Sequence, residues 1–553
     1  MKYLLFPCIF LFCLPLLKAQ SLDSAAIDEI FAEWDQAHTP GCALGIFQEG
    51  EIVYAKGYGL ANLEYEIPND AQSVFRIGST SKQFTAACIV LLAQADKLAL
   101  DDPLRKFFPD FPAYANQITV RHLLNHTSGL RDYLTLSFLK GLGDDDWYRD
   151  EDIMDWLVKQ QALNFEPGSE FLYSNSGYWL LGQIVNQVSG MNMADFAQQA
   201  IFEPLGMSHT HFHNNHNRIV KKRASGYSPT GPDTYEISMT TLNMIGDGGI
   251  FTSIEDIKKW DDAYYRSETL SPAFWAAMTE RGLLNNGDTL DYAAGLFVDQ
   301  HKGLPVISHG GAFVGFRAEL MRFPEQRLSI AVFANRADAN PTGMAFQVAD
   351  ILLADTYPKV EKPQVAEKEA VAPTEPQPEI ALKNLVGLYE LRVGLAMEVS
   401  LVGDSLQILQ QWNQEQYRIA RTSGNTFQLP EDESVSFTFS DPEGGMAQWL
   451  TVFQGGRNYP ARRKEPLDLS ALKLEDYVGS YVSEELEVRF EIRLEDDKLF
   501  MQPGKLEEVR LNPDEKDVFV FSGGKLTFQR EAGKVVSFGL DAGRAKGFGF
   551  KRE

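Results

Sequence analysis

In "FRIGSTSKQFTAACIVLLAQADKL", residues 75–98, Ser79 and Lys82 stand three apart at the head of an apolar run with helical spacing. Phe84, Cys88, Leu91 and Leu92 set a core-facing side, which places Ser79 at a helix N-terminus with Lys82 one turn along on the same face. A serine there meets unpaired backbone N–H groups and the positive end of the helix dipole, both of which favour a developing oxyanion. A lysine held beside other positive charge loses proton affinity and can share in proton transfer. The same text also reads as an N-cap serine followed by a lysine reaching to solvent. A second cluster, Tyr173-Ser174-Asn175, precedes an apolar helix. It offers a phenol to exchange a proton with a nucleophile and an amide to hold a substrate carbonyl, although capping and packing explain part of it. A third, His309-Gly310-Gly311, lies at a strand edge, where glycines let a substrate backbone approach and an imidazole can donate; a bulge beside a satisfied histidine is the plainer alternative.

The elements that must position these groups follow from periodicity. A short helix in "LDSAAIDEIFAEW" precedes two strand-like runs, "CALGIFQ" and "EIVYAKGYG", which join at Glu49-Gly50 as a hairpin. Residues 80–270 are mainly helical. At 305–334 the pattern returns to strands and is followed by a last helix through "MAFQVADILLADTY". Strands at both ends of a helical insert predict one antiparallel sheet built from opposite ends of the segment. Residues 358–380 carry five Pro, several Glu and no aromatic residue, the composition of an extended linker. Beyond it "LVGLYE", "GDSLQILQ", "NTFQL" and "SVSFTFS" recur in order as "YVGSYV", "DDKLFMQ", "DVFVF" and "GKLTFQRE", displaced by about 90 residues. The repeat predicts two small antiparallel barrels or sandwiches. The division is 1–20 leader, 21–357 first domain, 358–380 linker, 381–465 and 466–553 repeated modules, and the fold class is α+β followed by two β-barrel modules.

Composition narrows the functions. A net charge of −25 over 553 residues repels a phosphate backbone, so nucleic acid is not an expected partner. Lys2, an apolar run to about Leu17 and a small Ala19 have the order of a secretory signal, which predicts a periplasmic or secreted protein with no stable transmembrane segment after its removal. Cys42 and Cys88 sit in apolar sequence and read as buried free thiols. His209, His211 and His213 would share a strand face and could ligate a metal, but no acidic or thiol partner accompanies them, and they read as a solvated loop. His122 and His126 read as structural, and neither a Gly-x-Ser-x-Gly elbow nor a phosphate-binding loop occurs.

Taken in order, Ser-x-x-Lys, Tyr-x-Asn and His-x-Gly resemble the penicillin-recognising serine hydrolases: class C β-lactamases, D-alanyl-D-alanine carboxypeptidases, D-aminopeptidases and related esterases. "HLLNHTSGL" at 122–130, "IFEPLGM" at 201–207 and "GDGGIFTSIEDIKKW" at 246–260 extend the likeness over residues 22–357. The resemblance implies a β-lactamase/transpeptidase-like domain in which Ser79 is acylated and Lys82 and Tyr173 move its proton. Asn175 would bind the acyl-side amide, and His309, before Gly311, would contact the leaving-group side. The backbone N–H groups of Ser79 and Ala312 would form the oxyanion hole. It implies no cofactor and no metal. A histidine at 309, where efficient β-lactamases of the group carry lysine, offers partial charge and makes β-lactam hydrolysis a side activity. The expected substrate is a D-amino-acid peptide or amide, with an ester or a β-lactam as alternatives. A slowly acylated sensor or binding protein is the reading from a different class. The paired modules resemble the barrels of bacterial D-aminopeptidases, where a barrel loop reaches the active site.

Overall fold

The strands expected at the two ends of the first segment do pair. Cys42–Gln48 (β1) and Glu51–Tyr58 (β2) form a hairpin whose turn residues, Glu49 and Gly50, both have positive φ (52° and 82°), as a tight turn matched to strand twist requires. β1 then pairs along its other edge with a strand from near residue 330, so the computed structural model closes one antiparallel sheet from both ends of the segment. It describes residues 22–358 except 144, 145 and 267, and residues 379–553 except 393, 394, 412–414, 431, 455, 456 and 465–471. The leader expected at 1–20 and nearly all of the 358–380 linker lie outside the described residues.

The sheet has six strands. With Phe297–His301 as β3, Leu304–Phe313 as β4, Phe316–Phe323 as β5 and Leu328–Ala334 as β6, their order is β3-β4-β5-β6-β1-β2. β1, apart from Gln48, and β6 are buried along their whole length because both faces are covered. One face packs on helices α1 (Ser24–Ile30) and α4 (Pro341–Leu352), around Ile27, Phe31, Met321, Val332 and Val348. The other face meets the helical insert, centred on α2 (Lys82–Gln94) and α3 (Asn175–Ser189). α2 is buried nearly all round, since it lies between the sheet and the rest of the insert. Cys42 and Cys88 are buried free thiols, and burial raises the pKa of both. Among the described residues no helix is long and apolar enough to cross a membrane.

Two closed eight-stranded antiparallel barrels follow, from Gly387–Arg392 to Arg457–Lys464 and from Gly479–Ser483 to Ala545–Arg552. The repeat extends to how each is plugged. Tyr389 donates to the Leu385 carbonyl at 2.9 Å, and Tyr481 to the Tyr477 carbonyl at 2.8 Å. Arg463 and Arg552, each on its barrel's last strand, lie over those rings at 5.0 and 5.8 Å. The barrels differ in attachment: the first has its own core, whereas the second shares one continuous core with the helical insert.

The histidine run is only in part the solvated loop that its composition suggests: His209 is exposed, but the middle of the run is packed. Only His211 and Phe212 form a strand, paired with Phe251 and Ile250, and His213 is 3% exposed. Burial lowers the pKa of His211 to about 3 and of His213 to about 4, and the two rings hydrogen-bond at 3.1 Å. Among the described residues no cluster of three metal-ligating side chains forms.

Candidate active site

Ser79 lies in a 3-10 turn, Gly78–Ser81, and α2 begins only at Lys82, three positions after the serine that the spacing placed at the helix N-terminus. As the second residue of that turn, Ser79 has a backbone N–H with no partner inside it. The turn is pressed against β4. Gly78 has φ 50°, and a Cβ there would stand 2.8 Å from the Ala312 nitrogen, so glycine is needed both for the backbone and for the approach. A Cβ on Gly311 would stand 2.0 Å from the Ile77 carbonyl oxygen. Gly311 therefore lets the protein's own serine turn, rather than a substrate, reach the strand. Thr80 fastens the contact by donating to the His309 carbonyl at 3.0 Å. β3 pairs with β4 only as far as Ser308, so His309–Phe313 run past it with that edge uncovered. A substrate backbone can add to such an edge.

Lys82 is fully buried. Its Nζ donates to Ser79 Oγ at 3.1 Å, Asn175 Oδ1 at 2.9 Å and the Asp247 carbonyl at 2.6 Å. Burial lowers its pKa to about 7, with Arg544 pushing the same way and Asp247 and Asp132 opposing. An amine with that pKa is partly neutral near pH 7 and can take a proton from the hydroxyl beside it. Asn175, whose Oδ1 is thus occupied, has its amide nitrogen to offer to a substrate carbonyl. Its own backbone N–H donates to Asp132 Oδ2 at 2.6 Å.

Tyr173 is half-buried against the same group, its hydroxyl enclosed, with Lys82 Nζ 4.7 Å and Arg544 Cζ 5.5 Å from its ring centre. Burial raises its pKa; Ser79 and Arg544 ease its ionisation. Its hydroxyl faces Ser79 but closes no hydrogen bond with it in strict geometry. His126 packs on Tyr173 with ring centres 4.2 Å apart, and its Nδ1 accepts the Ser174 N–H at 3.1 Å. The structural histidine is therefore the platform on which the phenol rests.

His309 departs from the partial charge expected of it. It is 2% exposed, among Tyr173, Tyr292 and Phe297, and burial beside Lys82 lowers its pKa to about 3. Its Nδ1 faces the Gly310 carbonyl at 2.6 Å and must donate, because a carbonyl only accepts. Its Nε2 then accepts from the Tyr292 hydroxyl at 3.0 Å. The ring is neutral at pH 7, so it offers an anion no charge.

These groups line one cleft of about 620 Å³, with Ser79, Tyr173, Asn175, His309, Gly311 and Ala312 all on its wall. The wall also holds Arg544, from the turn between strands Lys534–Ala542 and Ala545–Arg552 of the second barrel. Arg544 pairs with Asp132 at 3.4 Å, and its carbonyl accepts the Asp132 N–H at 3.2 Å. Next to it Arg131 donates to the Lys546 carbonyl and pairs with Glu485 at 2.5 Å. The hairpin is thus clamped onto the loop that holds Asn175. Sequence reasoning missed Asp132, Asp247, His126, Tyr292 and Arg544. Asp247 and His126 lie in stretches already singled out, whereas nothing near Arg544 signals a site.

A serine with a buried, pKa-lowered lysine and a facing phenol, on a turn pressed against the backbone at Ala312, is equipped for acyl transfer. The comparisons agree. Residues 27–353 match the family model described as Beta-lactamase. The chain belongs to the Beta-lactamase family. Residues 463–551 match a second model, described only as a domain of unknown function, DUF3471, which coincides with the second barrel. Within the Beta-lactamase family the chain is similar to penicillin-binding protein 4* of Bacillus subtilis (strain 168), 30% identical over 381 residues, 65% of this chain and 81% of that protein. It is 26% identical over 300 residues to the D-aminopeptidase of Gluconobacter oxydans (strain 621H), spanning 54% of this chain and 56% of that relative, little more than half its length. Among solved structures, the D-amino acid amidase from Ochrobactrum anthropi SV3 is 25% identical with a TM-score of 0.52, covering 60% of this chain and 99% of that one. The chain is a serine hydrolase of this family.

Proposed function

We propose that the chain is an exported peptidase or amidase specific for D-amino-acid substrates, acting through an acyl-enzyme at Ser79. The observation that carries this reading is the hydrogen bond from a fully buried, pKa-lowered Lys82 to Ser79 in a cleft wide enough for a small peptide. Lys82, assisted by Tyr173, takes the Ser79 proton as Oγ attacks the substrate carbonyl. The oxyanion collects on the N–H groups of Ser79 and Ala312, a contact worth about 3–4 kcal/mol per donor in the transition state. The proton passes to the departing amine, and water then attacks the ester by the same route. The D-amino-acid preference is supported by the printed activities of the D-aminopeptidase and D-amino acid amidase relatives. Export is supported by the leader pattern at residues 1–20.

The neutral His309 favours an amide over a β-lactam, whose carboxylate would find no charge there. The test is turnover and covalent labelling of a D-amino-acid amide, a D-alanyl-D-alanine peptide, a fluorescent penicillin and a short nitrophenyl ester. Cleavage of the D-amides or D-peptides in preference to their L-counterparts supports the reading. Stable labelling without turnover would replace it with a binding protein, and preferred cleavage of the ester alone with an esterase.

The barrel hairpin is expected to set preference rather than chemistry. Arg544→Ala removes a cation from the cleft wall, and the ranking of the D-substrates by kcat/KM is expected to shift about tenfold, the change that ~1.4 kcal/mol produces. Identical rankings in both proteins would reduce the hairpin to a support. Deleting the barrels is the poorer experiment, because it would strip the insert of part of its core.

A further inference from the structure

The cleft does not end at Ser79. Past the uncovered edge of β4 it turns onto the other face of the sheet, where Gly310, Glu319, Asn340 and Thr342 line it beneath the start of α4. Opposed residues of antiparallel strands point to one face, so Gly310 and its partner Glu319 share this side, while Gly311 faces the Ser79 turn. Gly310 has no side chain to cover Glu319. A Cβ there would stand 3.2 Å from Glu319 Oε2 and 3.5 Å from Thr342 Oγ1.

Glu319 is 2% exposed. The Thr342 hydroxyl donates to its Oε2, and its Oε1 has no hydrogen-bond partner. Burial raises its pKa to about 7, against the Thr342 hydroxyl and the Leu320 backbone, and no charged side chain contributes. A buried carboxyl group with spare acceptor sites and no counter-charge is costly unless a ligand supplies the partner. Among the described residues no neighbouring cation pairs with this carboxyl group. Both nitrogens of the neutral His309 are engaged, the Asn340 side chain caps the Gly343 N–H, and Arg317 on β5 donates to the Val314 and Phe316 carbonyls.

We propose that Glu319 is a specificity-determining residue that binds a primary ammonium carried by the leaving group and discriminates against leaving groups ending in a carboxylate. The proposal rests on the acyl-transfer reading, with Asn175 on the acyl side and His309, next to Gly310, on the leaving-group side. A leaving group laid along β4 from the carbonyl at Ala312 passes Gly310 two residues on, roughly 7 Å away, within reach of a four-carbon chain.

The test uses three D-alanine amides that differ only in the leaving amine: 1,4-diaminobutane, butylamine and 4-aminobutyrate, ending in a cation, a methyl and an anion. In the wild type kcat/KM is expected to favour the diaminobutane amide over the butylamide by about tenfold, the scale of a charge-assisted hydrogen bond. The 4-aminobutyrate amide ranks last. Glu319→Gln keeps the size and the Thr342 contact, and is expected to bring all three within about threefold while sparing the butylamide. Gly310→Ala, whose methyl closes the passage, is expected to act in the same direction. A wild type indifferent to the charge, or a Glu319→Gln variant that keeps the ranking, overturns the proposal and leaves the hydrolase intact. If only a nitrophenyl ester is cleaved, the amides serve as competitive inhibitors and their Ki ranking decides. Failure to cleave the ester and the amides alike overturns both readings.

Discussion

Ser79→Ala is expected to remove hydrolysis of every substrate the wild type turns over, by about 10⁴-fold or more, as loss of an acylated nucleophile does. No neighbour can substitute. Thr80 Oγ1 is bound to the His309 carbonyl, and Ser81 Oγ accepts the Ile250 N–H, so both hydroxyls hold the turn and point away from the cleft chemistry. Stability is expected to change little. Ser79 Oγ receives one hydrogen bond, from Lys82, which retains Asn175 and Asp247 as partners. A single such bond is worth about 1 kcal/mol net, a shift of a few degrees at most in thermal unfolding. Turnover and unfolding midpoint measured on the same preparations decide the matter. Activity near the wild-type level would place the nucleophile elsewhere.

Lys82→Met, which preserves bulk and removes the base, is expected to lower kcat/KM by about 10³- to 10⁴-fold. The pH profile distinguishes a base from a merely structural lysine. Lys82 has its pKa lowered to about 7, so it is protonated and inactive as a base below that value and competent above it. Wild-type kcat/KM is therefore expected to rise from pH 6 to 8 and then level off. His126 and His309 are held neutral throughout that window, and burial keeps the Tyr173 phenol protonated. Glu319 titrates in the same window, so the rise must survive in Glu319→Gln and vanish in Lys82→Met. A rise that persisted without Lys82 would assign the base role to Tyr173 or a bound hydroxide.

The two experiments address different links between fold and function. The nucleophile depends on a local device, a turn with a left-handed glycine that sets one hydroxyl at the cleft. The base depends on a non-local one. Lys82 is driven toward neutrality by burial beneath elements remote in sequence, with Arg544, more than 450 positions downstream, pushing the same way and Asp247 and Asp132 opposing. An exposed lysine in the same Ser-x-x-Lys sequence would keep its ordinary affinity for a proton.

Short-range chemistry was legible in the sequence. The Glu49-Gly50 hairpin, the sheet assembled from both ends of the segment, the paired barrels and the ordered Ser79-Lys82, Tyr173-Asn175 and His309-Gly311 clusters all follow from periodicity, turn residues and fixed spacing. The hairpin and the clusters reflect what a residue does to its neighbours within a few positions, and the sheet and the barrels were read from the order and repetition of such local patterns. Only the tertiary structure decided that His309 is neutral, because its pKa depends on Tyr173, Tyr292 and Phe297 arriving from separate segments. It decided that Gly311 admits the serine turn, that His213 is buried, and that a barrel hairpin brings Arg544 to the cleft. It also decided that Glu319 lies behind Gly310. Burial and Coulomb interactions act through space, and the distances that set them are fixed only once elements remote in sequence have packed.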